Sequence, residues 1–215
     1  MSKPVLIIGG GGHAMVIADI LRQLEFKIAA IISKDSPKNC QLFDDIKVLD
    51  DKEALIEFSP SDVYLANGIG SMPNTKVRSN LFDHYKKLNY KFLSIISPYS
   101  IVSNYAHVSE GVHILPGAIV NPGVTIGENT IINSGAIVEH ECSIGKNNHI
   151  APGASLSGSV QTGEFVHIGT GANVIQRVKI GNNSIVGAGA TLTKDLDDNS
   201  TIFVAKPYLD KGINK

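Results

Sequence analysis

The stretch Ile132-Asn133-Ser134-Gly135-Ala136-Ile137-Val138-Glu139-His140-Glu141-Cys142-Ser143-Ile144-Gly145-Lys146-Asn147-Asn148-His149-Ile150 carries an aliphatic residue at every sixth position. Stepping outward by six from Val138 reaches Ile96 in one direction and Leu192 in the other. Sixteen of those 17 positions are Ile, Val or Leu, the exception being Thr162, and no insertion breaks the register. Two residues before the aliphatic stands a small or short residue, as at Ala106, Ala118, Ala136, Cys142, Ala154, Ala172 and Ala190. The residue after it is often glycine, as at Gly127, Gly145, Gly163, Gly169, Gly181 and Gly187. A strand repeats every 2 residues and a helix every 3.6, so a period of six fits neither alone. It fits very short strands separated by corners, with the aliphatic side chain in a narrow core and glycine where a side chain would clash. The pattern predicts a parallel β-helix of hexapeptides. Three hexapeptides close one triangular coil, so residues 18 apart stack, about 4.7–4.9 Å from one another.

The composition changes near residue 95. Residues 1–95 hold 12 basic and 11 acidic residues and 8 of the 13 aromatics, whereas 14 of the 21 glycines fall between 96 and 192. We therefore divide the chain into 1–95, 96–207 and a short tail, 208–215. The first unit opens with Pro4-Val5-Leu6-Ile7-Ile8, an apolar run suited to a buried parallel strand. Gly9-Gly10-Gly11-Gly12-His13-Ala14 follows, and then Met15, Ile17, Ala18, Ile20, Leu21 and Leu24 mark one face of a helix. Ile28–Ile32 reads as a second strand, 62–66 as a later strand ending at Asn67-Gly68, 73–88 as a helix and 90–93 as another strand. This is a small Rossmann-like α/β domain with a mostly parallel sheet.

Composition excludes several classes. The 215 residues carry 19 Lys+Arg against 20 Asp+Glu, a formal net charge of −1 that gives no nucleic-acid footprint. No window reaches 18 apolar residues without charge, so no membrane span is expected. The N-terminus reads directly into a strand, so no signal peptide is expected. Cys40 and Cys142 supply neither a disulfide framework nor a four-ligand zinc site. A cytoplasmic protein is expected.

The hexapeptide repeat resembles the left-handed β-helix acyltransferases. With the Gly-Gly-His-bearing domain before it, the chain from residue 4 to about 207 is similar to the nucleotide-sugar N-acetyltransferases of the bacillosamine, perosamine and related amino-sugar pathways, and to sialic acid O-acetyltransferase relatives. The fold expected is a small Rossmann-like α/β domain followed by a left-handed parallel β-helix. The resemblance implies acetyl-CoA as acyl donor, a nucleotide-linked amino-sugar as acceptor, and a homotrimer with active sites between subunits.

The resemblance makes His140 the general base and Glu141 the acid that raises its basicity. The chemistry agrees: an attacking amine must lose a proton as the C–N bond forms, and imidazole accepts one near neutral pH. His140 lies two places after core Val138, so it occupies a corner and points outward. A corner histidine flanked by acids for solubility is the plainer alternative. Gly158 lies 18 residues on, at the same corner, where its N–H is approachable. We expect it to be the oxyanion donor, the alternative being one more corner glycine. Asn133 and Glu139 line the acceptor pocket by family match.

His113, His149 and His167 are 36 and 18 apart and fall in one column, each preceding a core aliphatic and pointing off one outer face. By resemblance His149 contacts acetyl-CoA, and Thr170 and Ala188 do so through backbone groups. No carboxylate shares the column, so no metal is expected. Gly9–Ala14 is one form of the dinucleotide fingerprint, G-x-G-x-x-A, whose helix N-terminus favours an anion. About 90 residues are too few for both halves of a dinucleotide fold, which disfavours NAD. The resemblance places Gly11, Gly12 and His13 at the nucleotide-sugar diphosphate and Gly68 near the base or ribose. The paired acids usual after the second strand are here Ser33-Lys34, with Asp35 following. Ile202–Pro207 resembles the family's closing strand. Two rivals remain: the same scaffold acetylating a sialic acid or related sugar hydroxyl, and a non-enzymatic nucleotide-sugar-binding protein.

Overall fold

The computed structural model describes residues 3–35, 37 and 41–204. Cys40, the end of the closing motif and the tail lie outside them. Four parallel strands, β1 (Val5–Ile8), β2 (Ile28–Ile32), β3 (Val48–Leu49) and β4 (Tyr64–Asn67), form the first sheet in the order β3-β2-β1-β4. Helix α1 (Gly12–Gln23) buries Ala14, Ile17, Ala18, Ile20 and Leu21, the face that the spacing predicts. Helix α2 (Asp51–Glu57) starts with a capping box: Asp50 accepts the Glu53 N–H and Glu53 accepts the Asp50 N–H. The Asp-x-x-Glu spacing is legible in sequence, but an apolar run too short to stand out follows it. Helix α3 (Val77–Lys87) begins four residues later than the expected 73, because Thr75 turns back onto the Met72 carbonyl. The strand expected at 90–93 is reduced to one bridge, Leu65 to Phe92.

From Ile95 the chain winds as a left-handed parallel β-helix of two-residue strands on three faces. The first face holds Ile95–Ile96, His113–Ile114, Ile131–Ile132, His149–Ile150, His167–Ile168, Ile185–Val186 and Thr201–Ile202. The second runs from Ile101–Val102 to Thr191–Leu192 and the third from His107–Val108 to Lys179–Ile180. Register is 18 from Ile95 to Leu192, as in Val120, Val138 and Leu156, and shortens to 16 in the last coil, where Ile185 pairs Thr201 and Val186 pairs Ile202. The repeated aliphatics and the small residues before them form one continuous core.

The corners follow a fixed grammar. The first corner residue has no need of its N–H, and prolines occupy it at Pro98, Pro116, Pro122 and Pro152. The second corner residue takes positive φ, as at Gly117, Gly135, Asn147 and Gly153. Thr162, the exception in the aliphatic series, is buried with its hydroxyl satisfied: its Oγ1 accepts from the Gly145 N–H at 3.1 Å and the Asn148 amide at 2.6 Å. Thr162→Val keeps the shape and strands both donors. It should lower unfolding free energy by about 1–3 kcal/mol in urea denaturation. A neutral or stabilising result would show that the hydroxyl adds nothing to the coil.

The two units share an interior. Ile17, Ile20 and Leu21 of α1 pack in one cluster with Ile95, Leu115 and Ile131 of the first β-helix face. Arg78, buried without a carboxylate, bridges the seam by donating to the carbonyls of Asn67 and Ile69 at 2.7 Å and of Asn129 at 3.1 Å. Burial brings its pKa down to about 9.

Candidate functional site

The corner between the second and third faces holds His140 and Glu141. His140 occupies the first corner position, the one prolines fill elsewhere, and its side chain is 60% exposed. Its Nδ1 lies 3.1 Å from Glu141 Oε2. Glu141 stands at the second corner position with φ 59°, a conformation that glycine and asparagine take at most equivalent corners. A non-glycine residue there costs free energy, and such strain concentrates at functional sites. Glu139 precedes them and accepts a hydrogen bond from the Asn121 amide at 2.8 Å.

Gly158 stacks directly beneath. A Cβ at Gly158 would lie 2.6 Å from His140 Cε1 and 2.7 Å from Nε2, so the imidazole rests against the bare Cα. Its amide has no backbone acceptor among the described residues, as the first-corner geometry dictates.

A second group lies along the seam. His113, His149 and His167 stack in register with Ile131 between the first two. They do point off one face, but that face is largely covered by the α/β domain: His113 is fully buried and His149 buried, while His167 is half-buried and lines a cavity. This corrects the expectation of a free outer column, since the apolar residues alternating with the histidines are what α1 packs on. His13 joins the column through its Nε2, 3.0 Å from His113 Nδ1, with the rings stacked at 5.2 Å. The Asn133 amide pairs with His149 Nε2 at 3.0 Å. Burial drives His13 down to about 3, with Arg78 and His149 adding repulsion. Burial likewise takes His149 to about 3, and lowers His113 well below the usual range.

These imidazoles are neutral in the fold and ionise near pH 6.5 once unfolded. The unfolded chain therefore binds more protons below that pH. Their contribution to stability is complete above pH 6.5 and is lost as pH falls toward 3, by up to about 1.4 kcal/mol per pH unit for each histidine held neutral. Urea midpoints measured from pH 7.5 to 4.5 should fall steeply below 6.5; a flat profile would contradict the neutral column. Among the described residues no group of three His, Cys, Asp or Glu side chains could hold a metal ion.

The third group sits at the carboxyl ends of β1, β2 and β4. Gly9 has φ 89°, and a Cβ there would strike Ile69. Gly11 is the N-cap of α1 without a side-chain cap, leaving the first-turn N–H groups of Gly12 and His13 available to an anion. Gly68 is closely packed. It is buried with Ile8 O, Ile7 and Ala14 within 2.8 Å of where a Cβ would stand, so packing explains this glycine and Ile69 faces the cavity in its place. Asp35 is exposed and lies outside that cavity, which Ser33 and Lys34 line.

The N-terminal part, residues 4–85, matches the family model described as PglD N-terminal domain, and residues 105–194 match bacterial transferase hexapeptide (six repeats). No curated protein sequence matches significantly. Among solved structures, a histidine-to-alanine variant of GDP-perosamine N-acetyltransferase from Caulobacter crescentus, in complex with CoA and GDP-perosamine, is 33% identical. The match covers 94% of this chain and 93% of that one, with a TM-score of 0.84. The chain belongs to the hexapeptide-repeat nucleotide-sugar N-acetyltransferases. The acetyltransferase domain of PglB from Neisseria gonorrhoeae, in complex with acetyl coenzyme A, is 28% identical over 94% of this chain and 96% of that one, with a TM-score of 0.85. WeeI from Acinetobacter baumannii, 23% identical with a TM-score of 0.75, shares the fold.

For an N-acetyltransferase the distribution of these groups matters. Thr170 and Ala188 are exposed and stack 18 apart at the corner between the first and second faces, the Gly189 N–H donating to the Thr170 carbonyl at 2.8 Å. His140 and Gly158 occupy the next corner, across the second face. One chain thus holds the expected base and the expected donor-binding residues on two different edges. Neither of the two large cavities, of about 360 and 350 Å³, reaches His140. Of the residues lining those cavities the sequence reading named His167, Gly9, Ser33 and Lys34 but missed Phe165, with φ 57°, and the Asp51–Tyr85 pair. A phenylalanine at a glycine corner was the legible signal for the first.

Proposed function

We propose that this chain transfers acetyl from acetyl-CoA to the amino group of a nucleotide-linked 4-amino-4,6-dideoxy sugar. The observation that carries the reading is the corner at which exposed His140 meets Glu141 and lies over the bare backbone of Gly158. The family and its relative crystallised with CoA and GDP-perosamine supply the substrate class. His140 Nε2 takes a proton from the amine as its nitrogen attacks the thioester carbonyl. Glu141 accepts from Nδ1–H, fixing the tautomer and favouring the imidazolium formed. The Gly158 N–H faces the oxyanion of the tetrahedral intermediate. When that intermediate collapses, the C–S bond breaks and the imidazolium returns its proton to the departing thiolate. The products are an amide and CoA with a free thiol.

Placement of the expected donor-binding edge away from His140 supports a homotrimer in which Thr170 and Ala188 of one subunit meet His140 of the next, with Asn133 and Glu139 beside the acceptor; His149, buried on the first face and paired with Asn133, lies off that exposed edge. Both substrates are charged and water-soluble, which supports work in the cytoplasm. The test is thiol release from acetyl-CoA with matched amino- and hydroxy-sugar nucleotides. Turnover confined to the amino-sugar is expected. Turnover of the hydroxy-sugar would make it an O-acetyltransferase, and tight nucleotide-sugar binding with no thiol release would make it a binding protein.

A further inference from the structure

The cavity of about 350 Å³ at the strand ends lies where the sheet reverses its winding, since β2 and β4 flank β1 on opposite sides. Ligands of open α/β sheets settle at such a point. Ile8, Ile32, Ile69 and Leu81 give it apolar walls, and Gly9 joins it to the anion-favouring start of α1. An apolar slot beside a phosphate-favouring turn fits a nucleobase.

Its polar groups are few: among the described residues Asp51 is the one carboxylate lining it and Lys34 the one ammonium, with Ser33 and His84 beside them. The Tyr85 hydroxyl donates to Asp51 Oδ1 from the core, so the carboxylate is held in place. Burial, then Asp51, raise the Tyr85 pKa, which keeps that hydroxyl a donor. Asp51 Oδ2 has no partner among the described residues. Asp51 does not cap α2, a task that falls to Asp50.

We infer that Asp51, clamped by Tyr85, is the base-specificity determinant of this site and that it selects guanine. Guanine alone among the common bases offers two adjacent donors, N1–H and the N2 amino group, to the two oxygens of a carboxylate. It also presents O6 and N7 as acceptors to a lysine. Uracil and thymine place a carbonyl beside their single N–H, against the second carboxylate oxygen. Adenine and cytosine set a ring lone pair there. This inference rests on the proposed nucleotide-sugar reading and adds the base to it.

The experiment is isothermal titration calorimetry of the full chain with GDP, IDP, UDP, dTDP, CDP and ADP. IDP lacks only the N2 amino group. GDP should bind about 10–100-fold more tightly than IDP, as expected for one hydrogen bond to a charged acceptor, and more tightly than the other four. Asp51→Asn, which turns an acceptor into an amide donor, should collapse the GDP-to-IDP ratio toward one without lowering the melting temperature. Tyr85→Phe, which removes only the clamp, should reduce that ratio several-fold. Equal binding of GDP and IDP, or a ratio unchanged in Asp51→Asn, would overturn the inference while leaving the nucleotide-sugar reading intact. If none of the six binds while thiol release proceeds with a free amino-sugar, both fall.

Discussion

His140→Ala should lower kcat for acetyl transfer by about 10²–10⁴-fold, the usual contribution of a general base, and leave the fold as it is. The side chain is 60% exposed and its one polar partner among the described residues is its neighbour Glu141, so no core contact is lost. Alanine is compatible with a corner position that proline occupies elsewhere. The loss should fall on kcat, with KM for acetyl-CoA changed little, because the proton is transferred only as the C–N bond forms. Stopped-time thiol release, with the circular dichroism spectrum of the variant as the check on its fold, separates this from misfolding. An undiminished kcat would remove the base from the mechanism and leave the scaffold without an assigned chemistry.

The period of six was enough to specify the β-helix because a triangular coil has one core position per strand. A residue there has no alternative face to occupy, so aliphatics recur without exception except where Thr162 satisfies Gly145 and Asn148. The corner chemistry was equally legible. Position two after the aliphatic must point outward, so the exposure of His140 and its stacking over Gly158 follow from counting alone. The burial of the histidine column was not legible. Counting tells which face His113 leaves, but only the docking of α1 against Ile95 and Ile131 decides that the face is interior. Gly68 is ambiguous for a related reason. A glycine after a strand can serve a ligand or a close packing contact, and the sequence does not tell Ile8 O and Ala14 Cβ from a phosphate. Asp51 was invisible because its meaning comes from Tyr85, 34 residues away.

Gly158→Ala should separate activity from stability. The backbone at Gly158 is not in the left-handed region, so alanine costs no strain of its own. The new methyl, however, would stand 2.6 Å from His140 Cε1 and 2.7 Å from Nε2. The imidazole is the free end of an exposed side chain, and it can swing aside at little cost. We therefore expect unfolding free energy to change by less than about 0.5 kcal/mol, as for surface substitutions. The displaced ring no longer rests against the bare Gly158 Cα. Base and oxyanion donor lose their common focus together, and misplacement by about 1 Å can cost roughly 10²-fold in rate. The companion change His140→Ala in the Gly158→Ala background should then cost little more than either alone, because both remove the same arrangement. Independent, multiplicative losses would mean that the glycine and the histidine act separately, and that the close approach of ring to backbone is packing with no catalytic consequence.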